Sequence, residues 1–171
     1  MITNITRVQK ELENHKLDAL FVSDQHNVTY LTGFYGFSAD EREAFLFITR
    51  KSATLLTFPT YYGMYETGGP GFSTVCITAD IRLSDYLKKI SNQEKIEHIG
   101  FEQDNLTISE LQSLKKKVKL HWTVTKHIVE KARLVKQTHE ITAITKAASI
   151  TDQAFEFIRG QLKEGVTEKD I

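Results

Sequence analysis

Leu17-Asp18-Ala19-Leu20-Phe21-Val22-Ser23-Asp24-Gln25-His26-Asn27-Val28-Thr29-Tyr30-Leu31-Thr32-Gly33 sets the fold class. The apolar run Leu17 to Val22 is short and closed by the polar cluster Ser23-Asp24-Gln25, the pattern of a buried strand ending at a loop. A short helix is expected next, with Asn27 as its N-cap, Val28 and Leu31 inward, and Gly33 supplying a left-handed C-cap. Upstream, Ile5, Val8 and Leu12 recur at helical spacing, so a helix feeds the strand. Downstream comes an aromatic loop, Phe34-Tyr35-Gly36-Phe37, followed by the charged segment Asp40-Glu41-Arg42-Glu43.

The rest of the chain alternates in the same way. Ala44–Thr49 and Ala53–Phe58 are β-rich and joined by Arg50-Lys51-Ser52, which predicts a hairpin ended by Pro59. Ser73–Thr78 reads as a further buried strand after the loop Thr67-Gly68-Gly69-Pro70-Gly71. Asp80 is expected to cap a helix carrying Leu83, Leu87 and Ile90, and His98–Phe101 to form a strand. Thr107-Ile108-Ser109-Glu110 has the form of a capping box. In the last strand Val118, Leu120, Trp122 and Val124 alternate with polar residues, which predicts one buried face and one wet face. Alternation of strands and helices implies an α/β fold, with a mixed, mostly parallel sheet flanked by helices on both faces. Residues 137–162 then predict one long amphipathic helix. Gly165 ends it, and Thr167-Glu168-Lys169-Asp170 is expected to open another helix, so the chain reads as a piece of a longer protein.

Composition narrows the function classes. The 22 Lys and Arg balance 22 Asp and Glu, so no global field selects nucleic acid or an anionic membrane surface. The single cysteine, Cys76, lies in the apolar run Thr74-Val75-Cys76-Ile77, which excludes an intramolecular disulfide and points to a reducing compartment. The amino terminus lacks the pattern of a secretory signal, and no apolar run is long enough for a bilayer, so a cytoplasmic setting is expected.

Motifs that would carry chemistry are incomplete. His139-Glu140 opens like a zinc-protease helix, but the second histidine is replaced by Ala143. His121 and His127 match no metal-ligand spacing. Gly68-Gly69-Pro70-Gly71 lacks the lysine and hydroxyl of a phosphate loop, and its proline removes an amide donor. Lys115-Lys116-Lys117 fits a solvated helix end, where cations complement the dipole. No catalytic residue and no metal ligand is expected in this chain.

Two groups of residues carry a resemblance to a known family. Asn27-Val28-Thr29-Tyr30-Leu31-Thr32-Gly33-Phe34, between a buried strand and a hairpin, resembles the N-x-x-Y-L-T-G-F signature of creatinase/prolidase amino-terminal domains. Arg133-Leu134-Val135-Lys136 with Glu140-Ile141, Ala147–Ala154 and Gly165-Val166-Thr167-Glu168 is similar to the linker and first catalytic-domain helix of Xaa-Pro dipeptidases and aminopeptidases. The resemblance implies a creatinase-type, ribonuclease H-like domain over residues 1–130. It makes residues 131–171 a linker and the first helix of a pita-bread catalytic domain.

It further implies that two divalent metals, manganese among the candidates, are held by Asp, Asp, His, Glu and Glu ligands downstream of this sequence. The partners it implies are the chain's own catalytic domain, a second copy in a homodimer, and an Xaa-Pro peptide. Similar enzymes bring the loop after T-G-F towards a neighbouring subunit's cleft. Here that makes Phe34, Tyr35, Phe37, Asp40 and Arg42 the candidate cleft residues, against the simpler reading that Phe34 and Phe37 are buried under the sheet edge. The Asp-x-Arg-Tyr segment of many aminopeptidase-like members is absent, since Phe58-Pro59-Thr60-Tyr61 keeps only the tyrosine. Dipeptidase and aminopeptidase specificity therefore both stay open. Two alternatives stand beside the peptidase reading. One is a peptidase-like interaction module without hydrolytic activity. The other is an independent small-ligand domain with a pocket at the carboxyl ends of its parallel strands.

Overall fold

The structure is a computed structural model that describes residues 4–37 and 42–171. It divides the chain into two units, Met1–Arg133 and Leu134–Ile171. The first is built on strands β1 (Ala19–Val22), β2 (Ala44–Thr49), β3 (Ala53–Thr57), β4 (Ser73–Cys76), β5 (His98–Glu102) and β6 (His121–Thr125). Their order across the sheet is β4-β3-β2-β1-β5-β6. β1 pairs antiparallel with β2 and parallel with β5, β5 and β6 are parallel, and the β2–β3 hairpin hands on to a parallel β3–β4 pair. The fold is thus α/β with a mixed sheet, as the alternation of elements predicts.

Side-chain alternation divides the buried residues of the strands into two cores. Leu20 and Val22 of β1, with Ala44, Leu46 and Ile48 of β2, face one way. They meet α1 (Asn4–Asn14) through Ile5, Val8 and Leu12, and α2 (Gln25–Thr32) through Val28 and Leu31. Ile128 and Val129 of α6 (Ile128–Leu134) join the same core. Ala19 and Phe21 of β1, with Phe45 and Phe47 of β2, face the other way. There they meet Leu87 of α4 (Leu83–Glu94) and Leu114 of α5 (Ile108–Lys117). Phe21 stacks on Phe45 at 5.3 Å and meets Trp122 edge-on at 6.3 Å. Helices therefore cover both faces.

Several local readings change in the fold. Asp24, not Asn27, caps α2: its carboxylate accepts from the Asn27 amide at 2.9 Å, which moves Asn27 one turn inside the helix and frees its side chain. Gly33 takes the left-handed C-cap, at φ 78°. α4 begins at Leu83 with Arg82 at the cap position, because Thr78 and Ile81 close a turn that takes up Asp80. Pro59 does more than end the hairpin; it stands at the start of α3 (Pro59–Tyr65), where a missing N–H costs nothing. β4 is a partly exposed edge, not a buried strand. In β6 Trp122 is buried, but Val124 is 58% exposed, because the cover on that outer strand stops at Trp122. The Thr107 capping box forms as expected.

The second unit is the helix α7 (Thr138–Gln161) and a short tail. A capping box between Gln137 and Glu140 opens the helix, and its apolar residues Ile141, Ile144, Ile150, Phe155 and Ile158 are all exposed. Thr167 bonds Asp170 through both its amide and its hydroxyl, but residues 168–170 form only a turn.

Gly100 of β5 sits where neighbouring side chains leave no room for a Cβ. A Cβ there would lie 2.7 Å from Leu17 Cδ1 and 2.7 Å from Thr125 Cγ2. Gly100→Ala is expected to destabilise the first unit by about 1–3 kcal/mol through overpacking, read as a lower urea midpoint with an unchanged m-value.

Candidate functional site

The first stretch that carried the family resemblance meets Arg133, the residue that opens the second. Asn27 is fully buried, and its amide is bonded on every side. Nδ2 donates to Glu102 Oε1 at 2.7 Å and to Glu130 Oε1 at 2.8 Å, while Oδ1 accepts from Arg133 Nη1 at 2.9 Å. One side chain of α2 thus ties the end of β5 to two successive turns of α6. Tyr30, one turn on, adds a second hold. Its hydroxyl donates to the Ala132 carbonyl at 3.3 Å and accepts from Arg7 at 3.3 Å, and the Arg133 guanidinium lies 5.8 Å from the ring centroid.

Glu102 stands at the carboxyl end of β5, against the turn from β1 into α2. Its Oε2 accepts from the Ser23 and Asp24 amides, each at 2.7 Å. Burial pushes its carboxyl up to about 7, against the opposing pull of the Asn27, Asp24 and Ser23 N–H donors; the nearby Asp24 charge raises it further. A polar cavity of about 50 Å³ borders the cluster, lined by Asp24, Glu102, Asp104, Thr125, His127 and Glu130. This is where a small-ligand α/β domain would hold its ligand, at the carboxyl ends of β1, β5 and β6. The space left there suits water.

The remaining members of the first motif have separate tasks. Leu31 is core, Thr32 Oγ1 bonds back to the Val28 carbonyl, and Phe34 is buried in an aromatic cluster. Phe34 lies 4.3 Å from Phe37, 4.5 Å from Tyr65 and 5.8 Å from Tyr61, ring centroid to centroid, all edge-on. The cluster packs α3 against the loop and lifts Tyr35, 89% exposed, clear of it. Arg42 is drawn sideways: Nε pairs with Glu110 Oε1 at 2.8 Å, Nη1 donates to Asn105 Oδ1 at 2.7 Å, and Nη2 donates to the Asn105 carbonyl. Of the five candidate cleft residues, Phe34 and Phe37 are brought together, Tyr35 and Arg42 stand apart, and Asp40 lies outside the described residues.

Other candidates resolve in the same way. A second cavity, of about 240 Å³, lies between α4 and α5 over Phe21 and Phe45. His121 stacks on His98 at 5.0 Å, across β5 and β6, instead of meeting His127. Among the described residues no group of three or more His, Cys, Asp or Glu side chains is placed to hold a metal ion. They do not form the five-ligand set, which the resemblance places outside this sequence. No helix among them is long and apolar enough to cross a membrane.

The first unit is thus a mixed-sheet α/β domain in which α6 is tied to Asn27 at the carboxyl ends of β1 and β5. The family profile described as the creatinase/prolidase N-terminal domain matches residues 4–135, and the chain belongs to that family. An uncharacterized peptidase of Bacillus subtilis, YqhT, is 28% identical over 158 residues, covering 89% of this chain and 41% of that protein. The solved Xaa-Pro dipeptidase from Bacillus anthracis is 28% identical with a TM-score of 0.79, over 98% of this chain and 45% of that one. An aminopeptidase P structure from Streptococcus thermophilus is 27% identical with a TM-score of 0.65, over 76% of this chain and 95% of that one. The chain spans about half the length of the curated relatives it matches or less.

Glu102 also sets a pH dependence. Its folded value lies above its ordinary one, so the folded chain binds its proton more tightly than the unfolded chain. The stabilisation it brings is fully present below about pH 4.5 and is lost as pH rises through about 7. Urea unfolding across pH 5–8 is expected to show this decline in the wild type, by at most about 3 kcal/mol, and a flatter profile in Glu102→Gln.

Proposed function

We propose that this chain serves as the amino-terminal, non-catalytic domain of a proline-specific metallopeptidase, an Xaa-Pro dipeptidase or aminopeptidase. In this reading it supports dimerisation and shapes the substrate cleft, in the cytoplasm, while two divalent metals in a following catalytic domain carry out hydrolysis. The observation that carries the reading is the match to the Bacillus anthracis Xaa-Pro dipeptidase, which extends over both units of the chain. The family assignment of residues 4–135 supports the same conclusion.

The loop after Gly33 is the part suited to meet a substrate. Phe34, Phe37, Tyr61 and Tyr65 fix its base as a rigid aromatic wedge, and Tyr35 stands out from that base as an amphipathic tip. A side chain carried on a rigid base can close over a dipeptide and exclude water with little loss of entropy. Its apolar ring and hydroxyl suit a ligand that is part prolyl ring and part peptide.

The test is kinetic and uses the complete gene product, assayed on an Xaa-Pro dipeptide with added manganese. Tyr35→Ala is expected to raise KM about 3- to 10-fold with kcat nearly unchanged, as the loss of a binding contact common to ground and transition states. Unchanged kinetics would remove the loop from the cleft. Absence of any hydrolysis by the complete wild-type product would favour a pseudo-enzyme or interaction module. Sedimentation of the same protein should give a dimer.

A further inference from the structure

The Asn27 cluster carries more charge than an inert brace needs. Three carboxylates, Asp24, Glu102 and Glu130, converge on it from the N-cap of α2, from β5 and from α6, and Asp104 and His127 line the adjoining cavity. The guanidinium of Arg133 lies beyond the amide, on its oxygen side. Both protons of the Asn27 nitrogen are committed, one to each of two carboxylates. With Arg133 donating to Oδ1, the amide cannot flip without setting N–H against guanidinium, so it has no second arrangement that satisfies all three partners.

We propose that Asn27, Glu102, Glu130 and Arg133 form a proton-sensitive joint, which holds α6 to the sheet most firmly when Glu102 carries a proton and slackens when Glu102 is ionised. The direction follows from hydration. In the closed joint Glu102 is screened from water and faces Asp24, Glu130 and Asp104, whereas a joint opened by movement of α6 hydrates its carboxylate. The closed form therefore binds the proton more tightly, and proton linkage favours opening as pH rises. When the proton is on, the 50 Å³ cavity beside Glu102 has room for a water to accept it. The joint thereby controls how firmly the last helix of the first unit is held. It is independent of the peptidase reading, since it rests on contacts within this unit alone.

Amide hydrogen exchange on the whole 171-residue chain tests this, with rates corrected for intrinsic exchange at pH 5.5 and 8.5. Amides of α6 from Lys131 to Arg133, the first of which bonds the His127 carbonyl, are expected to open more readily than those of β1 and β2 at both values. Their opening constant should rise about 10- to 30-fold between the two, given a Glu102 midpoint near 7 when closed and an ordinary one when open. Glu102→Gln should abolish that rise. A carboxyl titration of wild-type Glu102 by NMR, followed together with the α6 amide shifts, supplies the second measurement should that variant not fold; one shared midpoint is expected. The proposal is overturned if α6 opening is flat with pH, if the rise persists in Glu102→Gln, if α6 exchanges only as fast as β2, or if the α6 shifts do not follow Glu102.

Discussion

A central strand with no solvent face is the constraint from which the rest follows. Ala19, Leu20, Phe21 and Val22 are all fully buried, so each face of β1 must be covered by something else in the chain. α1, α2 and α6 close one face and α4 and α5 the other, and β2 and β5 satisfy the backbone on either edge. Because β1 is antiparallel to β2 and parallel to β5, the chain turns into α2 at the same end where β5 and β6 finish. That places Ser23, Asp24, Glu102 and Thr125 at one end of the sheet, and creates a polar corner that must be satisfied from within.

Asn27 and Glu102 meet that need. The Glu102 carboxylate takes the two free amides at the start of α2, and Asn27 bridges it to α6. The family motif is legible in these terms. Asparagine supplies two donors and one acceptor on a short, stiff stem; tyrosine one turn later reaches the next carbonyl of α6; glycine makes the left-handed stop; and phenylalanine enters the aromatic cluster. The arginine that opens the second motif is the residue that occupies the asparagine's oxygen, 106 positions away in the chain.

Comparison of the local readings with the fold shows where sequence pattern carries physical information. Hairpin, capping box, left-handed glycine and the long helix α7 depend on neighbours within a few residues, and each forms where its pattern lies. Asn27 was legible as a polar residue at a helix start, but Asp24 can cap as well, and local pattern does not rank two adjacent candidates. Once Asp24 takes the cap, Asn27 is released for long-range bonding. Val124 alternates as a core residue should, yet strand period reports only which face a side chain is on, not whether a helix covers that face.

The sequence by itself determined the α/β class, the order of the strands and the family, because these follow from apolar period, local turn chemistry and motifs in a fixed order, but it gave no sign of the short helices α3 and α6. It also located the asparagine, tyrosine and arginine of the joint as motif members, without linking them. Only tertiary structure decided that Glu102 and Glu130 belong with them, that His121 stacks on His98, and that Arg42 is held by Asn105 and Glu110. The reason is physical: these contacts join residues brought together by parallel strand pairing, and the distance along the chain between them leaves no local trace in composition or period.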